Sequence, residues 1–269
     1  MKLQIVPART GVQWVKLGVQ TFWRQPLALA AIFILAIVGM SLISIVPLIG
    51  PALALALLPA TSLAMMVAAA EATQGRFPTP ALLLVAFRTG RQRLNAMVTL
   101  GLLYAVGFLA IMGLSALIDG GTFAEVYLGG EPMTREIAED PAFQSAMWLS
   151  MALYIPLSLM FWHAPGLIHW HGIPPAKALF FSLVACMRNW RAYLVFCLAW
   201  MVFFMACGIV LALVTGILAS LIGGMAAGIM AGAAMILAAM FFTSVVFTFR
   251  DSFSAPDPSD ATDPELHEA

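Results

Sequence analysis

The 269-residue chain is 62% hydrophobic and 10% charged, and its thirteen basic side chains balance thirteen acidic ones to a formal net charge of zero. Soluble domains carry about a quarter charged residues, so a free globular domain is excluded, and no basic excess points to nucleic acid. Apolar stretches near or above about 20 residues recur, the length that crosses a bilayer as a helix, and predict an all-α polytopic membrane protein.

The first element is residues 10–26, "TGVQWVKLGVQTFWRQP". Helical periodicity places Val12, Val15, Val19, Phe22 and Trp23 on one face and Gln13, Lys16, Gln20 and Arg24 on another. Thr10 suits an N-cap and Pro26 a stop. Such a helix can lie in the interface, with Trp14 and Trp23 at headgroup level and Lys16 and Arg24 toward anionic lipid. The other reading is an ordinary helix packed on protein. The first apolar run begins only at residue 27 and is too long for a signal-peptide core, so it reads as an uncleaved first span.

Six spans follow from hydropathy. The first covers 27–46, with Pro47, Gly50 and Pro51 marking a turn. The second covers 52–70, with Pro59 a kink. The third covers 95–118 and the fourth 145–163, with Pro156 inside. The fifth covers 192–214 and the sixth 225–249; the apolar segment 215–224 can join either neighbour. Between spans three and four, residues 119–144 carry six acidic side chains. The tail 251–269 is acidic, Pro-containing and poor in apolar residues, which predicts disorder.

A second basic segment, "PALLLVAFRTGRQRLNAM" (80–97), precedes span three. A third, "PAKALFFSLVACMRNWRAYL" (175–194), precedes span five. Ala81 aligns with Ala178 and Arg91 with Arg188 without gaps. Trp23-Arg24 parallels Trp190-Arg191. The chain therefore reads as one membrane domain, 1–250, of three helical-hairpin units at about 9–70, 80–165 and 175–249. Each unit opens with an amphipathic surface helix and all share one orientation, unlike inverted-repeat transporters. The candidate lipid-facing residues are Trp14, Lys16, Trp23, Arg24, Arg88, Arg91, Arg188, Trp190 and Arg191.

The six-span topology puts twelve of the thirteen basic residues on one side, with Arg135 alone on the other. Lys and Arg stay on the cytoplasmic side, so both termini, the basic segments and the tail are expected there. The placement expected is a bacterial inner membrane.

Chemistry-bearing residues are sparse. His163, His169 and His171 lie together with Trp162 and Trp170, but a zinc site needs converging ligands, and 169 and 171 cannot share a helix face. An interfacial aromatic and His belt is the alternative. Cys186, Cys197 and Cys207 show no C-x-x-C spacing and read as packing residues. No Asp or Glu falls within a span, which counts against proton-coupled transport. No catalytic residue, metal or cofactor is assigned. Gly224, Gly228 and Gly232 recur at four-residue spacing, with Ala227 and Ala231 beside them, a surface for close helix packing within the chain or against a second copy.

The stretches "MKLQIVPARTGVQWVKLGVQTFWRQPLAL" and "APGLIHWHGIPPAKALFFSLVACMRNW" resemble an uncharacterised family of proteobacterial inner-membrane proteins over nearly the whole chain except the tail. More remotely, "AP…GIPPAKALFFS" is similar to the membrane region attached to some glycerophosphodiester phosphodiesterases. In that region an Ala-Pro ends one span, and an acid, Ala and Ser open the next surface helix. Ala164-Pro165, Ala178 and Ser182 fit, while Lys177 replaces the acid. The phosphodiesterase domain itself has no counterpart, so the resemblance implies architecture and no activity. The leading expectation is a non-enzymatic module that organises lipid or partner proteins, with anionic headgroups and a second copy as partners. The alternatives are a transporter or channel for a small or apolar solute, with Pro59 and Pro156 as hinges, and a lipid-acting enzyme using the histidines.

Overall fold

A computed structural model describes residues 2–128 and 130–254. The expected disordered segment thus lies, from residue 255 onward, outside the described residues. The element order is β1 (Lys2–Leu3), α1 (Thr10–Arg24), α2 (Pro26–Ser44), α3 (Gly50–Thr73), a 3₁₀ helix (Pro80–Phe87), α4 (Arg91–Asp119), α5 (Thr122–Tyr127), α6 (Arg135–Glu139), α7 (Pro141–His171), α8 (Pro175–Arg188), α9 (Trp190–Ile222), α10 (Met225–Ser252) and β2 (Phe253–Ser254). Six of these helices are long and apolar enough to cross a membrane: α2, α3, α4, α7, α9 and α10. The protein is an all-α polytopic membrane protein, its strands limited to one two-residue pair.

Three expectations are corrected. The second basic segment is not an α-helix: a 3₁₀ helix ends at Phe87, Gly90 stands outside α4 with φ 93°, and Arg91 opens α4. Arg88 and Arg91 therefore share no helix. The fourth span does not stop at residue 163 or at Ala164-Pro165; α7 runs through both Pro156 and Pro165 to His171. It ends where Gly172, in the left-handed region, donates to Ile168 O and Ile173 donates to Leu167 O, a glycine-terminated helix end. Finally, Asp251–Ser254 are not part of a disordered tail: they close α10 and pair with the N-terminus.

The chain divides into two compact units, described separately. In the unit that includes Ala36–Leu63 and Leu83–Leu183, α4 and α7 form an aromatic seam. Tyr104 meets Phe161 edge-on at 5.0 Å, and its hydroxyl lies 3.1 Å from that of Tyr154. Phe123 of α5 closes one end against Phe143 at 5.8 Å. Ser182 of α8 inserts its hydroxyl beside the α7 backbone, donating to Leu159 O at 2.7 Å and accepting from His163 N at 2.9 Å. Those two groups are an i, i+4 pair. A hydroxyl between such partners, six and two residues before a proline, satisfies backbone in the turn where Pro165 disturbs the ladder.

The unit that includes residues up to Leu35, Ala64–Leu82 and those from Val184 onward is built on α9 and α10. Phe196, Trp200 and Phe204 of α9 surround Phe241 of α10 with centroids 5.8, 5.6 and 6.2 Å away. Helix α1 crosses this pair as a strap. A Cβ on Gly11 would fall 2.6 Å from Phe196 N, and one on Gly18 would fall 2.8 Å from Ser244 Cα. Seven residues of helix rise about 10 Å, close to the 8–10 Å between packed helix axes. The two glycines thus seat α1 on both helices at once, and its buried face carries Trp14, Val15, Thr21 and Phe22.

Candidate lipid-contacting site at the joined termini

Beyond the strap, the two ends of the chain are tied together. Lys2 pairs with Ser254 and Leu3 with Phe253 in antiparallel register, and Gln4 N donates to Ser252 O at 3.0 Å. The next tie comes from Asn189, 2% exposed, between α8 and α9. Its Oδ1 accepts from Val6 N and its Nδ2 donates to Gln4 O, both at 2.9 Å. One side-chain amide thereby does what a neighbouring strand would do. Trp14 Nε1 donates to Asp251 Oδ2 at 2.9 Å, and the Tyr193 hydroxyl lies 3.5 Å from Ser252 Oγ.

This framework fixes one wall of a cleft of about 530 Å³. Residues 5–8 form that wall, and Arg188, Trp190 and Arg191 form the other, with Asn189 at the base. Arg188 and Arg191 are exposed, Trp190 is 56% exposed, and the Arg191 guanidinium sits 5.5 Å from the Trp190 ring centroid. None of the lining residues is acidic. Two guanidinium groups and an exposed indole suit a phosphate or carboxylate held against an apolar ring. No nucleophile is poised beside them. Burial pushes the thiol of neighbouring Cys186 up to about 12, outweighing a hydrogen bond to Tyr193 that lowers it, so the thiolate is scarce near neutrality.

The structure distributes the sequence-predicted residues unevenly. Arg188, Trp190 and Arg191 line one cleft. Trp14 does not face lipid: it is fully buried, its ring 5.3 Å from Tyr193. The physical reason is that an indole with an apolar body and one N–H donor finds both needs met inside, at the aromatic contact and at Asp251. Trp23 is 64% exposed and Lys16 is exposed, while exposed Arg24 donates to Thr73 O at 3.2 Å, capping the end of α3. Arg88 and Arg91 are exposed in the other unit. Gly224 precedes α10; Gly228 and Gly232 lie in it. Among the described residues, nothing stands within 4 Å of a Cβ built at any of the three. Among the described residues, no helix packs closely on this face. His163 is buried within α7, and His169 and His171 occupy its last turn. Among the described residues no three His, Cys, Asp or Glu side chains converge.

Gly11, Gly18 and Asn189 escaped sequence reasoning, and Ser182 entered it only through the Ala-Pro…Ala…Ser resemblance, without a partner. A glycine pair seven residues apart on a helix face was the available signal for the first two.

The chain is 38% identical over 261 residues to a probable inner membrane protein of Burkholderia thailandensis, covering 96% of each sequence. The chain belongs to that inner-membrane protein family. No family model and no solved structure matches it. As in that relative, its setting is the inner membrane.

Proposed function

We propose that this protein is a non-enzymatic module that organises anionic lipid at the cytoplasmic leaflet. The observation that carries the reading is the cleft in which Arg188, Trp190 and Arg191 converge on an anchored N-terminal segment. The bias of basic residues to one side supports a cytoplasmic placement of both termini. Anionic lipid attracts a nearby Lys or Arg by about 1 kcal/mol each. The remote likeness to membrane regions attached to phosphodiesterases adds a shared architecture and no reaction. Native mass spectrometry of R188E/R191E against the unaltered chain tests the reading. The expected result is a roughly tenfold or larger loss of retained phosphatidylglycerol, given about 1 kcal/mol per charge removed. Equal retention would overturn it.

A second reading, carriage of a small apolar solute, draws on a groove of about 550 Å³ between α1, α9 and α10, lined by residues such as Trp23, Phe203, Val210, Ala233 and Met240. A stoichiometric apolar molecule retained in the same spectra, lost on A233W, is the result that would favour it.

A further inference from the structure

We propose that the acidic C-terminal segment, residues 255–269, docks in the Arg188–Trp190–Arg191 cleft and competes there with anionic headgroups. This rests on the lipid reading of the same site. Three observations carry it. The first is position. The described chain ends at Ser254, which pairs with Lys2, and the cleft wall begins at Ile5. Ile5 lies three residues on from Lys2, at most about 10 Å of chain. The second is reach. Fifteen residues can reach at most about 50 Å, several times the distance from Ser254 to the cleft wall.

The third is charge. The segment carries Asp257, Asp260, Asp263, Glu265 and Glu268 and no Lys or Arg. The cleft offers two exposed guanidinium groups and no acid. Carboxylates and phosphates present the same geometry to a guanidinium fork. A tethered segment acts at an effective concentration in the millimolar range, so even a weak contact holds off lipid until the local anionic density rises.

The test uses the full chain carrying R191K in a neutral detergent, so that a carbodiimide can join an amine at the cleft to a carboxylate. The expected result is a zero-length cross-link from position 191 to acids at 257–268. Its yield should fall severalfold when phosphatidylglycerol is added. It should fall likewise at about 1 M salt, where the Debye length is about 3 Å. In parallel, D257N/D260N/D263N/E265Q/E268Q should raise phosphatidylglycerol affinity roughly threefold to tenfold at low salt. Absence of the cross-link in lipid-free protein overturns the proposal, and so does a cross-link whose yield the lipid leaves unchanged. Failure of the lipid reading is seen separately, as phosphatidylglycerol retention insensitive to R188E/R191E.

Discussion

Helices α9 and α10 have two dissimilar halves. At the end bearing the termini, Phe196 and Trp200 are 0% and 2% exposed, and Thr243, Ser244 and Thr248 are fully buried. Toward the turn between the helices, Ile217 is 68% exposed and Met225 74%. Hydropathy does not distinguish the halves, since both are apolar. The difference is what covers them. One half lies under α1 and next to the tied termini; in the other, Met225 and the glycines Gly216, Gly228 and Gly232 are far more exposed or open among the described residues. In a bilayer an exposed apolar side chain costs nothing against lipid, so packing there must come from close fit and hydrogen bonds. The covered end concentrates such groups in Thr243, Ser244 and Thr248, whereas toward the turn Thr215 is the buried polar side chain among the described residues.

The sharpest way to break the contrast is to add a side chain where α1 touches its partners. Gly18→Val puts two methyl groups into Ser244, against backbone that cannot step aside. About 3 kcal/mol or more of stability should be lost, at the upper end for overpacking. Gly216→Val, in the open half of α9, places its Cβ with nothing within 4 Å. A thermal melt in detergent followed by tryptophan fluorescence should show a large drop for Gly18→Val and almost none for Gly216→Val. Equal effects would mean that α1 is not held by close approach.

Asn189→Leu removes the amide that serves Val6 N and Gln4 O. Leaving those backbone groups to find other partners should cost about 2 kcal/mol. Hydrogen exchange is the direct check: the Val6 amide should lose protection while amides around Trp200 keep theirs. Trp14→Phe keeps a ring against Tyr193 but removes both the donor to Asp251 and part of a fully buried indole, so its cost should be about as large, about 2 kcal/mol. A Trp14→Phe protein whose Val6 amide loses protection as fully as in the Asn189→Leu protein would show that the Asp251 contact, not the strand clamp, holds the N-terminal segment.

Sequence reasoning read the spans well because a bilayer demands about 20 apolar residues and permits few charges. It kept Arg188, Trp190 and Arg191 together because they are neighbours in sequence, which in any fold leaves them near one another. It misplaced Trp14 because periodicity gives the faces of α1 without saying whether lipid or protein meets the apolar one. It ended α7 too early because Pro165 looks like a terminator. The hydroxyl that stabilises the kink comes from Ser182, seventeen residues on, and local pattern does not show such a partner. Asn189 was invisible for the same reason: its partners, Gln4 and Val6, sit at the far end of the chain.

The smallest expected effect on stability is the most informative about the open half. Gly228 and Gly232 face away from every described atom that a Cβ would meet. Their spacing still makes a smooth face on which another helix could rest closely. G228L/G232L should leave the thermal midpoint of the single chain nearly unchanged, within about 0.5 kcal/mol, since leucine fits a lipid-facing helix and improves on glycine there. If a second copy uses this face, the same substitutions must separate the copies, because leucines hold the backbones apart. Native mass spectrometry of the two proteins at matched concentration decides. A dimer lost in G228L/G232L assigns the glycines to self-association and places a cleft on each copy of the assembly. An unchanged oligomer gives the face to lipid, and the covered and open halves of α9 and α10 then differ only in which solvent each was built to meet.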